Sequence, residues 1–285
     1  MISYQHQLVF VHVPKCAGMA VEEALGGLPL PQRSEQHFTG HQYARYHPQE
    51  WARFHRFAVV RDPIRRCLSY VRFLRRWDAT WRKHLRDVPE ETLLRDALMS
   101  TNLLTTHAPA RMLTGEEEVL KVEELATAWP AFAARHDLPD ELPRHNASPG
   151  STSRDQLSPG TQLMIWARFP DDFARHGYAR PDVDFHALPP SEQGAVMWAR
   201  LRGWAVRFAE QGGPEASAEA RRSLDAWLAD LPDPAWRRRF EDVVAQHPPP
   251  LAPLGNLAYW TEVVHDRVRA QLGQPLWEPW HPADH

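Results

Sequence analysis

The amino-acid sequence predicts an α/β protein built on a parallel sheet, with a helical C-terminal extension. Three observations carry that expectation. Two short apolar runs with strand preference, Leu8–Val13 and Arg56–Val60, are each followed by a polar turn and then an amphipathic helical stretch. A third run, Val119–Val122, precedes another helical stretch, and strands that alternate with helices pair in parallel. Beyond Pro181 the pattern becomes helical throughout, broken by glycine and proline.

In the first unit Leu8, Val9, Phe10, Val11 and Val13 form the strand, Pro14 ends it and Gly18 lets the backbone turn. From Ala20 on, Val21, Ala24 and Leu25 fall on one helical face, with Glu22 and Glu23 assigned to the polar face opposite. Gly26–Pro31 closes that helix. Residues 32–56 are polar and histidine-rich, with a short strand expected near Phe38. After the second strand Asp62 is a natural N-cap and Pro63 suits the first helical position. Ile64, Cys67, Leu68, Val71 and Leu74 then give the following helix a core face. Further helices are expected over 90–104, 123–135 and 162–176, with Val119–Val122 as a central strand and a Ser-, Pro- and Gly-rich loop over 139–159. Residues 191–211, 217–230, 234–246 and 256–272 read as helices that carry Trp198, Trp204, Trp227, Trp236 and Trp260. The chain thus divides into an α/β part, 1–180, and a helical extension, 181–285, within the same domain or as a small second one.

A length of 285 residues suffices for one large domain with an appendage, and 43% hydrophobic with 24% charged residues marks an ordinary globular chain. The net charge of −3 gives no electrostatic case for a nucleic-acid partner. No apolar run approaches the roughly 20 residues that span a bilayer, so no membrane partner is expected. Two cysteines, Cys16 and Cys67, make no disulfide framework and no signal-peptide pattern precedes the first strand, so the expected location is cytoplasmic. Nothing in the sequence fixes the oligomeric state.

The chemistry concentrates in the two strand–loop–helix turns. In the first, the amides of Cys16, Ala17, Gly18, Met19 and Ala20 converge with the Lys15 ammonium on one point, an arrangement that binds phosphate or a phosphate-like group. In the second, Arg61 sits at the strand end and Ser69 follows on the helix, a pair able to clamp a terminal phosphate. Arg65 and Arg66 read chiefly as solvent-facing or structural. In a parallel sheet both loops leave the carboxyl ends of strands, where ligands bind. Two anion sites on one rim suit a nucleotide with a 5′ anhydride and a separate 3′-phosphate. His37, His41 and His47 have no H-E-x-x-H or cysteine–histidine set beside them, so no metal is expected.

These motifs resemble those of the sulfotransferases that use 3′-phosphoadenosine 5′-phosphosulfate (PAPS), the family of carbohydrate and related bacterial enzymes. The pattern H-x-P-K-[TCN]-A-G-T-S is similar to His12–Ala20. The pattern F-x-x-V-R-[DN]-P-x-x-R-x-x-S-x-Y is similar to Phe57–Val71, with Arg61, Asp62, Pro63, Arg66 and Ser69 in place and Tyr70 one residue early. Gly40-His41, Val122–Leu125, Leu142–Ser148 and Tyr178 with Asp171 and Asp172 follow the family order over residues 8–180. The resemblance implies a P-loop-like three-layer fold and transfer of a sulfuryl group from PAPS to a hydroxyl or amine of a carbohydrate or small-molecule acceptor, without a metal. It implies that Lys15 stabilises the leaving phosphate, that Arg61 and Ser69 hold the 3′-phosphate, and that His41 is the general base, with His37 and Glu35 as alternatives. Met19 and Ala20 depart from the family, which carries hydroxyls there, and so leave open a catalytically inactive nucleotide-binding homologue. The Asn146–Ser148 loop is a candidate cover for the nucleotide. A P-loop kinase fits less well, because Lys15 precedes the glycine and no Ser or Thr magnesium ligand follows it.

Overall fold

Leu8–Val11 (β2) is apolar at every position and all four side chains are buried, which is the signature of a strand covered on both faces. The computed structural model describes residues 1–27, 35–81, 88–100, 102–143, 154–211, 229, 233–246 and 254–273. It is mixed α/β, with a small, mostly parallel sheet. Ile2–Ser3 (β1) pairs antiparallel with β2, β2 pairs in parallel with His55–Val60 (β3), and β3 pairs in parallel with Glu118–Lys121 (β4). The register sets Val11 opposite Ala58 and Val60 opposite Lys121. The loops after β2 and β3 therefore leave the same rim, side by side.

The helices among the described residues are α1 (Gly18–Ala24), α2 (Gly40–Tyr46), α3 (Pro48–Arg53), α4 (Pro63–Trp81), α5 (Glu90–Met99), α6 (Leu103–Thr106), α7 (Pro109–Met112), α8 (Leu125–His136), α9 (Pro159–Arg168), α10 (Pro170–Arg175), α11 (Pro190–Gln211), α12 (Pro234–Gln246) and α13 (Leu254–Gln271). Period-2 alternation splits the strand side chains between two cores. Leu8, Phe10, Phe57 and Val59 pack with Val21 of α1 and Trp129 and Phe132 of α8. Val9, Val11, Ala58 and Val60 pack on the other face with Tyr43 of α2, Trp51 of α3 and Met112 of α7.

Several expectations are corrected. Phe38 is in no strand: Thr39 and Gln42 form a reciprocal capping box, and Phe38 packs on Tyr43 at 5.6 Å between ring centroids, so the segment starts α2. The 162–176 helix is two helices, because Pro170 lacks the N–H that would continue α9. The 90–104 helix stops at Met99. The third strand is an edge of the described sheet rather than central, and Val119 is 38% exposed. Trp227, most of 217–230, Asn146 and Ser148 lie outside the described residues.

The chain forms two compact units. The first comprises Met1–Glu90, Asn102–Gln156 and Asp171–Ala179; the second comprises Glu91–Thr101, Leu157–Pro170 and Arg180–His285. In the second, α11 packs on α9 and α13, and Gly203 permits the close approach, since a Cβ there would lie 2.9 Å from the Arg168 carbonyl. His265 is fully buried and bonds the Gly194 carbonyl at 2.9 Å. Trp166 is flanked by the guanidinium groups of Arg180 and Arg200 at 4.4 and 5.6 Å from its ring centroid. No described helix is long and apolar enough to cross a membrane.

Candidate functional site

The rim of the first unit carries the two loops that the sequence singles out. After β2 the chain turns through Lys15 and Ala17, both in the left-handed region with φ of 69° and 60°. Two such residues in a row of three are costly for side chains with a Cβ, by about 1–3 kcal/mol each, and such strain gathers at ligand-binding loops. Gly18 begins α1, where a Cβ would fall 2.0 Å from His12 Nε2. The loop is therefore wrapped around the His12 ring. Lys15 extends over α4, with Nζ 4.2 Å from the centre of the Phe73 ring. Ser69 lies one turn earlier on α4, four residues from Phe73 and so on the same face, half-buried.

Arg61 leaves the end of β3 and its Nη1 donates to the Lys15 carbonyl at 3.4 Å. This contact joins the two loops. Burial pushes the Arg61 guanidinium below its ordinary value, with Glu123 favouring its charge, and its Nε is buried without a hydrogen-bond partner among the described residues. The expected cap is present: Asp62 Oδ1 accepts from the Arg65 amide at 2.9 Å. The Asp62 amide donates to Glu123 Oε1 at 3.1 Å, and Tyr178 donates its hydroxyl to Glu123 Oε2 at 3.1 Å. Segments far apart in sequence thus interlock behind the second loop.

The remaining candidates separate. The Cys16 side chain is fully buried in the core cluster that holds Tyr43, its Sγ donates to the Pro14 carbonyl at 3.7 Å, and burial pushes its thiol up to about 12. Met19 is 55% exposed and Ala20 is buried. Arg65 is exposed, whereas Arg66 is fully buried and pairs with Asp172 at 3.5 Å. His41 lies exposed in the first turn of α2, and Gly40 beside it packs on Thr114 and Glu117 in the turn that enters β4. Of the candidate bases, His37 is the one beside the start of the loop: its Nδ1 is 3.3 Å from the His12 carbonyl and its ring stands edge-on to His12 at 4.8 Å. Burial, with His12 and His107 nearby, pushes His37 down to about 4, so it is neutral at physiological pH.

The expectation that Glu22 faces solvent is overturned. Glu22 is buried and its Oε1 lies 2.6 Å from His12 Nδ1, while Gln36 Nε2 reaches both carboxylate oxygens at 3.3 and 3.0 Å. Burial raises the Glu22 carboxyl, but the His12 bond and charge together with Gln36 outweigh it and hold it below the ordinary range. His12, Glu22 and Gln36 were absent from the residues expected at the site. The one available signal was that His12 stands in the quoted motif and Glu22 lies one helical turn from Gly18.

No family model, curated protein or solved structure matches the chain.

The packing of His12 on Gly18 gives a direct test. Gly18→Ala is expected to destabilise the protein by about 1–3 kcal/mol, because the added methyl must displace a buried ring bonded to Glu22. Denaturant midpoints of Gly18→Ala and of Gly18→Ala with His12→Ala measure it. Because His12→Ala by itself strands the buried Glu22, its single variant is measured too, and the double variant should lose less than the sum of the two single losses; strict additivity would show that the strain lies elsewhere.

Proposed function

We propose that the protein is a sulfotransferase that binds PAPS across the Lys15 and Arg61 loops and sulfates a hydroxyl or amine of a carbohydrate or small-molecule acceptor. The observation that carries this reading is the contact of Arg61 with the Lys15 carbonyl, which brings two basic loops together on the carboxyl rim of adjacent parallel strands. The residues present fit a doubly anionic nucleotide: a strained loop with Lys15 on one side, and on the other a half-buried guanidinium whose Nε has no bond among the described residues. The three-layer, P-loop-like architecture of the family belongs to this proposal. PAPS would supply the activated sulfuryl group.

The chain's own residues have distinct tasks. The amides of Ala17, Gly18 and Met19 orient the 5′ end, whereas the expected Ala20 amide already donates to the Ala17 carbonyl at 3.0 Å, and Lys15 neutralises charge on the leaving phosphate oxygen. Arg61 and Ser69 hold the 3′-phosphate. The acceptor proton goes to an imidazole. His41 is the residue indicated by the motif, and His37 is the one beside the His12 carbonyl, neutral but made a weak base by the burial that pushes it down to about 4. Met19 and Ala20 offer no hydroxyl, which favours a nucleotide-binding homologue without turnover as the second reading.

Calorimetry with adenosine 3′,5′-bisphosphate and with ATP–magnesium tests the nucleotide. Binding of the bisphosphate alone is expected. Arg61→Ala and Ser69→Ala should weaken the bisphosphate more than adenosine 5′-phosphosulfate, which lacks the 3′-phosphate, by about 1.5–3 kcal/mol for a lost bond to a charged group. Equal losses for the two ligands would place these side chains away from the 3′-phosphate. Release of bisphosphate from PAPS in the presence of an acceptor panel separates the enzyme from the inactive homologue.

A further inference from the structure

Beneath the Lys15 loop lies a buried imidazole to which the assignments above give no role. His12 is 5% exposed, with its ring stacked on Phe10 at 5.7 Å. The Glu22 carboxylate, 2.6 Å from Nδ1, fixes that nitrogen as the N–H, so Nε2 is the position that gains or loses a proton. Nε2 is aimed at Gly18, where a Cβ would be only 2.0 Å away, and it has no hydrogen-bond partner among the described residues. A ring more than nine-tenths buried thus ends, unpartnered at its outer nitrogen among the described residues, against Gly18 where the Lys15 loop enters α1.

We propose that His12 is a proton-carrying ligand of a tetrahedral oxyanion, sulfate or phosphate, bound in the Lys15 loop, with Nε2–H donating to one of its oxygens. The proposal rests on the reading of that loop as an anion site. Glu22 on α1 compensates the imidazolium from the far side of the ring, and Gln36 holds Glu22 in place. The other groups facing this cluster are Lys15 in the loop, His37 edge-on at 4.8 Å, His107 beyond it at 5.9 Å from His37, and the Met1 amino group, which burial pushes down to about 5 and which lowers Glu22 where it is charged. His37 is neutral and so does not oppose a charge on His12. Bound anion and Glu22 then flank one imidazolium, a charge-assisted arrangement that strengthens both bonds.

The test uses the full chain and inorganic sulfate, whose charge is constant where imidazoles titrate. Long-range proton–nitrogen NMR of the histidine rings should show His12 Nε2 moving from the unprotonated to the protonated range as sulfate is added. Sulfate should bind about tenfold more tightly at mildly acidic than at mildly alkaline pH. In His12→Phe that pH dependence should vanish. If this variant does not fold, the wild-type resonance decides. Sulfate binding that Lys15→Ala weakens while the His12 resonances stay unmoved would overturn the proposal, as would the absence of sulfate binding. A His12 response to sulfate without any binding of adenosine 3′,5′-bisphosphate would uphold it and overturn the PAPS reading.

Discussion

Replacing Lys15 by alanine is expected to lower turnover of PAPS by at least about tenfold, and by up to about a thousandfold, the range for removing one donor aimed at developing charge. The loss should fall on turnover more than on affinity for the bisphosphate product. The leaving oxygen gains charge only as the sulfuryl group departs, so the ammonium does most there in the transition state. The fold should be nearly untouched. Alanine meets the same left-handed backbone at this position that lysine already tolerates. The stacking of Nζ on Phe73 that would be lost is worth about 0.5–1 kcal/mol at a partly exposed site. Two measurements check this: release of adenosine 3′,5′-bisphosphate from PAPS, and the thermal midpoint of the purified variant. Unchanged turnover in a folded variant would remove Lys15 from the chemistry and with it the basis of the proposed reaction.

The parts of the structure that were legible in the sequence are those fixed by local pattern. The β2 and β3 runs, the Asp62 cap and the core face of α4 follow from residue type and spacing over a few positions, and they appear where expected. The meeting of Lys15 and Arg61 was legible as well, because parallel strands place successive loops on one rim. What local pattern could not give is a partner distant in sequence. A helical projection treats a glutamate as a solvent-facing residue by default, yet Glu22 is buried because His12, just past the end of β2, satisfies it. The Thr39–Gln42 box and Phe38 against Tyr43 were readable as a helix start, but β preference at Phe38 suggested a strand, and the cap prevailed. Among the histidines, motif position singled out His41, while the fold brings His37 to the loop, because α2 begins only after His37 has passed the end of β2.

Arg66→Met is expected to be among the most destabilising single changes in the first unit, by about 3–5 kcal/mol near neutral pH, because it leaves the Asp172 carboxylate buried without its cation. Arg66 is fully buried and also donates to the carbonyls of Leu104 at 3.2 Å and His107 at 3.4 Å, so it ties α4 to the segment around α6. Asp172 in turn accepts from the Ala110 amide at 2.7 Å at the start of α7. Burial pushes the Asp172 carboxyl up to about 6, with Arg66 and the Ala110 amide working against that rise. The sign of the pH effect follows. A carboxyl whose folded pKa lies above its unfolded value binds its proton more tightly in the folded state. Its contribution to stability is therefore fully present below the unfolded pKa and is lost as pH rises through the folded one. Removing Arg66 raises the folded pKa further, so the deficit of the variant should be largest near neutrality and shrink on acidification towards about pH 5, as Asp172 takes up a proton. Adding Asp172→Asn removes the charge and keeps an oxygen for the Ala110 amide, and it should recover a substantial part of the loss at neutral pH. Denaturant unfolding of the single and double variants at the two pH values measures both effects. A deficit independent of pH and unrelieved by Asp172→Asn would mean that Arg66 acts through its carbonyl bonds alone and that its pairing with Asp172 contributes little.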